Sequence, residues 1–130
     1  MIVVDTSALV AILQGEPEAQ ACRSVVADAD ELLIAAPNLT EALIVAARRR
    51  LQGEMARLIA DLTLTVVPLD KAAAYAAVSA YRKWGKGFHR AKLNLGDAFA
   101  YALAKERDCP LLFVGDDFKR TDVTPALTPA

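Results

Sequence analysis

Four acidic residues spread along the chain have side chains and positions that could hold a divalent metal ion. Asp5 follows the apolar residues 2–4, and an acidic pair follows the apolar residues 111–114. Two further acids stand near the start of apolar segments with helical periodicity. Ligands of open parallel sheets bind beyond the carboxyl ends of the strands, so these acids are expected to meet at one edge. The set is Asp5, Glu41, Asp97 and Asp116, with Asp117 as the alternative for the fourth position.

Acids that meet in this way need protons or a cation. Two carboxylates about 4 Å apart repel each other by roughly 4 kcal/mol at an effective dielectric constant near 20. Magnesium and manganese ions prefer oxygen ligands, and one or two carboxylates together with phosphate oxygens can hold them. Such an ion lowers the pKa of a water and stabilises charge on a phosphoryl group. The acids therefore predict phosphodiester hydrolysis without a protein nucleophile.

Each acid also has an ordinary structural explanation. Glu41 stands three residues after Asn38, and Asp97 stands three residues after Asn94, so both pairs match the capping box of a helix. Asp5 could mark a helix start, and the last acids could form an acidic turn. Capping is the better interpretation of each acid alone. It gives no reason for four acids to meet at one edge, which favours the metal site for the set.

A basic segment precedes the last of the predicted helices. Residues 82–92 contain five lysines and arginines, the only histidine and no acid, with Trp84 and Phe88 among them. Such cations can bind phosphates, and an exposed aromatic ring can stack on a base for roughly 1–3 kcal/mol. A solvated loop that covers a buried Trp84 is an equal alternative. The candidate contacts to a nucleic acid backbone are Lys86, Arg90 and Lys92.

Composition predicts one domain, residues 1–130, with a core of its own. The net charge of −1 gives no global positive field, so a polyanion would need a local basic patch or a bound metal. Cys22 and Cys109 lack metal-site spacing, which favours reduced packing thiols. The chain has neither a basic leader nor an apolar run of about 18 residues, so a cytoplasmic protein without membrane contact is expected.

Hydrophobic residues make up 55% of the chain, which predicts either a covered surface or helices on both faces of a sheet. The covered surface would be a homodimer face or a groove for a partner segment. Strands alternate with helices, a pattern typical of a parallel sheet with right-handed crossovers. Strands are predicted at residues 2–5, 32–35, 64–67 and 111–114, with a brief edge strand near 123–127. Helices are predicted at residues 8–13, 17–26, 38–51, 54–61, 70–83 and 94–107.

Four segments together resemble the PIN-domain ribonucleases and, among these, the VapC toxins of bacterial toxin-antitoxin pairs. They are VVDTSAL at residues 3–9, LTEA at 39–42, HRAKLNLGD at 89–97 and LFVGDDF at 112–118. The likeness covers nearly the whole chain in order. It implies a PIN-like three-layer α/β fold, in which a short parallel sheet of four or five strands is flanked by helices on both faces.

The resemblance also implies a function: a Mg²⁺- or Mn²⁺-dependent endoribonuclease, the toxin of a type II toxin-antitoxin module. It implies a structured RNA such as transfer RNA as substrate, a VapB-type antitoxin as inhibitor, and a homodimer. By matching motif, Asp5 and Asp97 would be the principal metal ligands, and Glu41 would orient the ligands or the attacking water. Asp116 is favoured over Asp117 as the fourth acid and third ligand because it lies closer to the strand end. The residues expected to support the metal site are Thr6, Ser7 and Asn94.

Three other classes of function compete with the nuclease. A receiver-like phospho-acceptor domain would have an acidic pair after the first strand and a lysine after a late one, where this chain has Asp5 alone and an acidic pair. A phosphatase of the D-x-D type is disfavoured because Ser7 stands two residues after Asp5. A catalytically silent module that binds RNA or a partner stays open, although the complete set of acids favours catalysis.

Overall fold

A parallel sheet of four strands forms the centre of the fold in the computed structural model, which describes residues 1–127. The strands lie in the order β3-β2-β1-β4, and each neighbouring pair is parallel. Their carboxyl ends therefore lie at one edge of the sheet, the edge at which ligands bind in such folds. The strands are β1 Ile2–Val4, β2 Leu32–Ala35, β3 Thr65–Val67 and β4 Leu111–Leu112.

Six helices alternate with these strands in the described part of the chain. Two of them begin at capping side chains: Asp70, the first residue of a predicted helix, and Asn94, part of a predicted capping box. The Asp70 carboxylate accepts a hydrogen bond of 2.8 Å from the backbone of Ala73. A cap of this kind satisfies one of the free donors of the first turn, which fixes where the helix begins. The helices are α1 Thr6–Gln14, α2 Ala19–Asp28, α3 Ala36–Arg48, α4 Gln52–Leu62, α5 Lys71–Trp84 and α6 Leu95–Arg107.

The sheet is covered by helices on both faces, as predicted. Successive strand residues point to opposite faces, so Val3 and Leu111 pack into one core cluster with α5 and α6. Val4 and Leu112 pack into a second cluster with residues of α1, α2, α3 and α4. Full burial of such a side chain contributes roughly 1.5–3 kcal/mol, so both faces hold the sheet in place. The three layers confirm the predicted fold class.

The start of α3 and the end of β4 differ from the prediction. Helix α3 begins at Ala36 rather than at Asn38, with Pro37 in its first turn, and the N-cap residue Ala35 makes no side-chain cap. Asn38 is therefore inside the helix, and the predicted capping box with Glu41 is absent. The strand after α6 ends at Leu112, two residues earlier than predicted.

The brief edge strand predicted near residues 123–127 is reduced to an isolated parallel bridge. Leu111 pairs with Pro125 there, and its backbone donates to Thr124 and accepts from Ala126 at 2.9 Å each. Residues 128–130 of the predicted tail lie outside the described residues.

Both cysteines are free; Cys22 is buried and Cys109 is partly buried. In residues 1–127, none of the helices has the length and apolarity that crossing a bilayer requires. Several large apolar side chains are nevertheless exposed beside one another in the loop before α5, on α5, in the loop that follows it and at the start of α6. They border a groove of about 610 Å³ and include Leu69, Val78, Phe88 and Leu95.

Asn38 joins α3 to its two neighbours along the carboxyl edge of the sheet. Its side chain is fully buried, and Nδ2 donates to the backbone oxygen of Gly96 at 2.9 Å. Its own backbone oxygen accepts a hydrogen bond of 2.9 Å from Thr6 Oγ1. One residue of α3 therefore fixes the distances to α1 and to α6.

Replacement of Asn38 by alanine is expected to lower the free energy of unfolding by about 1–3 kcal/mol, because the buried hydrogen bond between α3 and α6 would be lost and a cavity would be left in its place. Chemical denaturation measures this change. The control is Thr40→Ala, which removes an exposed hydrogen bond to Ala36 from the same helix. It should alter stability by no more than about 0.5 kcal/mol. Equal effects of the two substitutions would contradict the role given to Asn38.

Candidate active site

Five acids line one pocket of about 250 Å³ beyond the carboxyl ends of the strands: Glu16 and four others. Asp5 stands directly after β1, Glu41 projects from α3, Asp97 from the first turn of α6, and Asp117 from the loop after β4. Distant parts of the sequence therefore supply one acidic surface. The residues predicted to support the site line the same pocket; they are Thr6, Ser7 and Asn94.

Asp5 is both the N-cap of α1 and part of the pocket. Its Oδ2 accepts hydrogen bonds from the backbone nitrogen of Ser7 at 3.0 Å and from Ser7 Oγ at 2.6 Å. Ser7 Oγ in turn accepts a hydrogen bond of 3.0 Å from the backbone of Val114. Ser7 thus orients the carboxylate and ties the β1–α1 junction to the segment after β4.

Asp97 both caps α6 and lines the pocket, although from sequence alone capping and a metal site were alternatives. The Asn94 side chain accepts from the Asp97 nitrogen at 2.8 Å, and Asp97 Oδ2 accepts from the Asn94 nitrogen at 3.1 Å. This is the predicted capping box. Its hydrogen bonds use Oδ2 and not Oδ1, so the cap fixes the carboxylate without occupying both of its oxygens.

Glu41 lies against the start of α6 because that helix has no side chain at Gly96. A Cβ atom there would stand only 3.0 Å from Glu41 Oε1 and 3.2 Å from Oε2. The hydrogen bond from Asn38 to the Gly96 oxygen holds the two helices at this distance. The sequence assigned Asn38 to a cap and missed this bridge, since a buried asparagine in a first turn has the same pattern as a capping residue.

Asp117 lines the pocket, whereas Asp116 does not. The Asp116 side chain is 82% exposed and pairs with Lys119 at 2.6 Å. That pair lowers the pKa of Asp116, through a hydrogen bond first and charge attraction second. Gly115 has a φ of 103° and turns the chain between β4 and these acids. From sequence alone, Asp116 was preferred as the fourth acid because it is closer to the strand end. The geometry favours the alternative, Asp117, because only its side chain lines the pocket.

Burial raises the pKa of two pocket acids. The pKa of Asp97 rises to about 7 and that of Asp5 to about 6, with desolvation as the largest cause in both. Hydrogen bonds from Ser7 oppose the rise at Asp5, and the charges of Glu41 and Asp117 add to it. No ion pair among residues 1–127 involves any of these four acids. No direct ion pair within the described residues therefore offsets their mutual repulsion.

The donor set suits a hard divalent ion, although its side chains are not gathered around one point. Within residues 1–127, no group of three or more Asp, Glu, His or Cys side chains is already placed to hold a metal ion. Magnesium keeps several waters and needs only one or two direct carboxylates. Asp5 and Asp97 are buried carboxylates in a pocket with room for waters, so the residues fit an ion bound partly through water.

The predicted backbone contacts lie outside the pocket. Lys86, Arg90 and Lys92 are exposed, and none of them lines it. The loop that carries them rests on Trp84, whose Nε1 donates to Tyr101 Oη at 2.9 Å and whose ring contacts His89 at 4.8 Å between centroids. This arrangement agrees with the alternative interpretation, in which the Trp84 ring lies beneath the loop.

Two charged residues of the pocket were missed by sequence reasoning. Glu16 lies in the turn after α1, and Arg49 is the C-cap residue of α3. The signal for Arg49 was its spacing of four and eight residues from Val45 and Glu41, which places the three on one helix face. The sequence offered no comparable signal for Glu16.

The fold and the pocket define a class of protein: a small three-layer α/β domain with an acidic site at the carboxyl edge of a parallel sheet. A family model described as the PIN domain matches residues 2–123. The chain therefore belongs to the PIN domain family, as its sequence motifs predicted.

Relatives and solved structures agree with this assignment. Ribonuclease VapC42 of Mycobacterium tuberculosis strain H37Rv is 41% identical over 131 residues, which cover 98% of this chain and 100% of that protein. The crystal structure of Mycobacterium tuberculosis VapC20, a sarcin-ricin loop cleaving toxin, has a TM-score of 0.76 at 16% identity and covers 95% of this chain and 97% of its own. A toxin-antitoxin complex from Klebsiella pneumoniae has a TM-score of 0.72 at 19% identity, with 94% and 93% covered. The two structures share the fold, and the similarity to VapC ribonucleases confirms the resemblance.

The raised pKa of Asp97 makes a prediction for stability without metal. The ordinary pKa of this carboxyl is 3.8, the value taken for the unfolded chain, and its pKa in the folded chain is about 7. Protonation therefore favours folding: the contribution is complete below about pH 4 and is lost as the pH rises through 7. The variant Asp97→Asn stays neutral throughout. In EDTA it should gain on the order of 2–4 kcal/mol relative to the natural chain between pH 4 and 8.

Denaturation at a series of pH values measures this difference. The control is Asp116→Asn, because Asp116 is exposed and lies outside the pocket. Its stability relative to the natural chain should show no gain through pH 6–8. A pH-independent difference for Asp97→Asn would contradict the burial argument.

Proposed function

We propose that this chain is a metal-dependent endoribonuclease, the toxin of a VapBC-type toxin-antitoxin module. The observation that carries the proposal is the pocket that Asp5, Glu41, Asp97 and Asp117 line together, with no ion pair to any cation among residues 1–127. Such a surface repels a phosphate unless a divalent cation lies between them. The relative VapC42, which is named a ribonuclease, supports RNA as the polyanion.

Asp5, Asp97 and Asp117 would hold Mg²⁺ or Mn²⁺, directly or through water. The ion would supply positive charge that lowers the pKa of a water and stabilises the charge that grows on the phosphoryl group. Ser7 and Asn94 orient the first two carboxylates through the hydrogen bonds described above. These contacts prepare the ligands before the substrate binds, which removes a reorganisation cost from the reaction.

Glu41 would position the attacking water. It lies beside Gly96 and lines the same pocket as Asp97. The water oxygen forms a bond to phosphorus while the bond from phosphorus to the 3′ oxygen breaks. The departing oxygen takes up a proton, so the products carry a 5′-phosphate and a 3′-hydroxyl. Glu41 can accept a proton from the water in this step.

The substrate we propose is a structured RNA such as transfer RNA. VapC20, which shares the fold, is described as a toxin that cleaves the sarcin-ricin loop, also a defined RNA element. Lys86, Arg90 and Lys92 would contact the RNA backbone away from the cleaved bond, because all three are exposed and lie outside the pocket. Since RNA is cytoplasmic in bacteria, we place the activity in the cytoplasm.

Two protein partners belong to the proposal. A cognate VapB-type antitoxin would inhibit the chain, an assignment supported by the toxin-antitoxin complex that shares its fold. A homodimer would cover the apolar groove bordered by Leu69, Val78, Phe88 and Leu95. Exposed apolar surface of this kind is stabilised when a second protein surface removes it from water.

A catalytically silent module that binds RNA is the second candidate. The observation in its favour is that no group of three metal-binding side chains is preassembled within residues 1–127. The two candidates differ in one outcome, because the module would bind RNA in EDTA and leave it intact in the presence of metal.

We expect the purified chain to cut bulk cellular RNA at defined positions with Mn²⁺ or Mg²⁺ and to leave it intact in EDTA. The two acids after β4 provide a matched pair of variants. Asp117→Asn should reduce the cleavage rate by about 100-fold or more, whereas Asp116→Asn should retain most of it. Mapping of new RNA ends on a sequencing gel measures both.

Intact RNA in all lanes, from a preparation shown to be free of antitoxin, would reject the nuclease and favour the silent module. Cleavage lost in Asp116→Asn and retained in Asp117→Asn would keep the nuclease and reverse the assignment of the fourth acid.

A further inference from the structure

Arg49 is the one cation among the residues of the described chain that line the acidic pocket. Glu41, Val45 and Arg49 line it together and are spaced four residues apart, so they share one face at the end of α3. The eight residues from Glu41 to Arg49 span about 12 Å at the helical rise of about 1.5 Å per residue. The pocket is therefore acidic beside α6 and is also lined by an arginine whose backbone lies about two helical turns along α3 from that of Glu41.

The charge of Arg49 is not neutralised by a contact. None of the ion pairs within residues 1–127 involves it, including any with Glu16, which lines the same pocket. Its guanidinium donates a hydrogen bond to the neutral Oε1 of Gln14, the last residue of α1. One bond to a neutral partner orients the side chain and leaves most of its five donors free.

A guanidinium oriented in this way suits a phosphate. Arginine binds phosphate oxygens with two parallel N–H donors, and its planar group is more weakly hydrated than an ammonium. A span of about 12 Å corresponds to three or four stacked nucleotides at an axial rise of about 3.4 Å per nucleotide in one strand. One RNA strand can therefore place one phosphate at the acids and another at Arg49.

We propose that Arg49 binds a second phosphate of the RNA substrate, several nucleotides from the cleaved bond, and holds the strand along the exposed face of α3. This inference rests on the proposed function. It predicts that the RNA strand runs from the acids along α3, because Arg49 lines the pocket. The exposed loop cations Lys86, Arg90 and Lys92 do not line it. Gln14 is a positioning residue in this arrangement.

Arg48 provides the matched control. It is the last residue of α3, adjacent to Arg49, exposed, and outside the pocket. Both arginines lie at the carboxyl end of the helix, where a cation interacts favourably with the helix dipole. A role limited to the helix end would make the two substitutions equivalent, whereas a phosphate contact in the pocket separates them.

The test measures binding rather than cleavage. A fluorescein-labelled single-stranded RNA of twelve nucleotides is titrated with the natural chain, Arg49→Gln, Arg49→Lys and Arg48→Gln, and anisotropy is read at several salt concentrations. Ca²⁺ replaces Mg²⁺, and a denaturing gel verifies that the probe stays intact. Thermal denaturation of each variant verifies folding.

Arg49→Gln should weaken binding roughly fivefold at low salt and reduce the slope of log affinity against log salt by about 0.7, the value for one phosphate contact on a single strand. Arg49→Lys keeps the charge and should keep the slope while losing part of the affinity. Arg48→Gln should change the slope by less than half as much.

Equal slopes for Arg49→Gln and the natural chain, or equal losses for Arg49→Gln and Arg48→Gln, would overturn this inference and leave the nuclease proposal standing. Failure of the natural chain to bind this single-stranded RNA would also overturn the inference, whereas the nuclease proposal is tested separately by cleavage of bulk cellular RNA.

Discussion

The site depends on the burial of two carboxylates, Asp5 and Asp97, in one pocket at the carboxyl edge of the sheet. Asp5 and Asp97 are 5% and 7% exposed, and burial raises the pKa of both. Water would solvate an isolated carboxylate far better than this pocket does, so the fold places charge where it is costly. Hydrogen bonds from Ser7 and from the Asn94 backbone offset part of this cost. A hard cation would offset the remaining cost of burying the two carboxylates. Its positive charge would also raise the affinity of the pocket for phosphate.

The neighbouring elements are arranged around this constraint. The parallel order of the strands brings the ends of β1 and β4 to one edge, and Ser7 joins them through its contact with Val114. Asn38 holds α3 against α6 through the Gly96 oxygen, and the absence of a side chain at Gly96 leaves room for Glu41. Both hydrogen bonds join elements that are distant in sequence. The site is therefore a property of the assembled fold and not of any one segment.

The sequence predicted features that depend on local periodicity and missed those that depend on tertiary contacts. Alternating strands and helices gave the three layers, and the polar caps at Asp70 and Asn94 gave two helix starts, because caps act within one turn. Asn38 was misassigned because a buried bridge and an exposed cap use the same side chain near a helix start. Asp116 was favoured over Asp117 because distance along the chain says little after the turn at Gly115. Arg49 was missed because the packing of α3 against its neighbours decides which face of that helix lines the pocket.

The central claim is that the buried acids form a site for a divalent cation. The most direct test is the binding of Mn²⁺ to the antitoxin-free chain at pH 8, followed by the loss of the electron paramagnetic resonance signal of the free ion. The account predicts saturable binding of at least one ion by the natural chain and strongly weakened binding by Asp97→Asn, with Asp116→Asn close to the natural chain. A folded natural chain that binds Mn²⁺ no better than Asp97→Asn would contradict it.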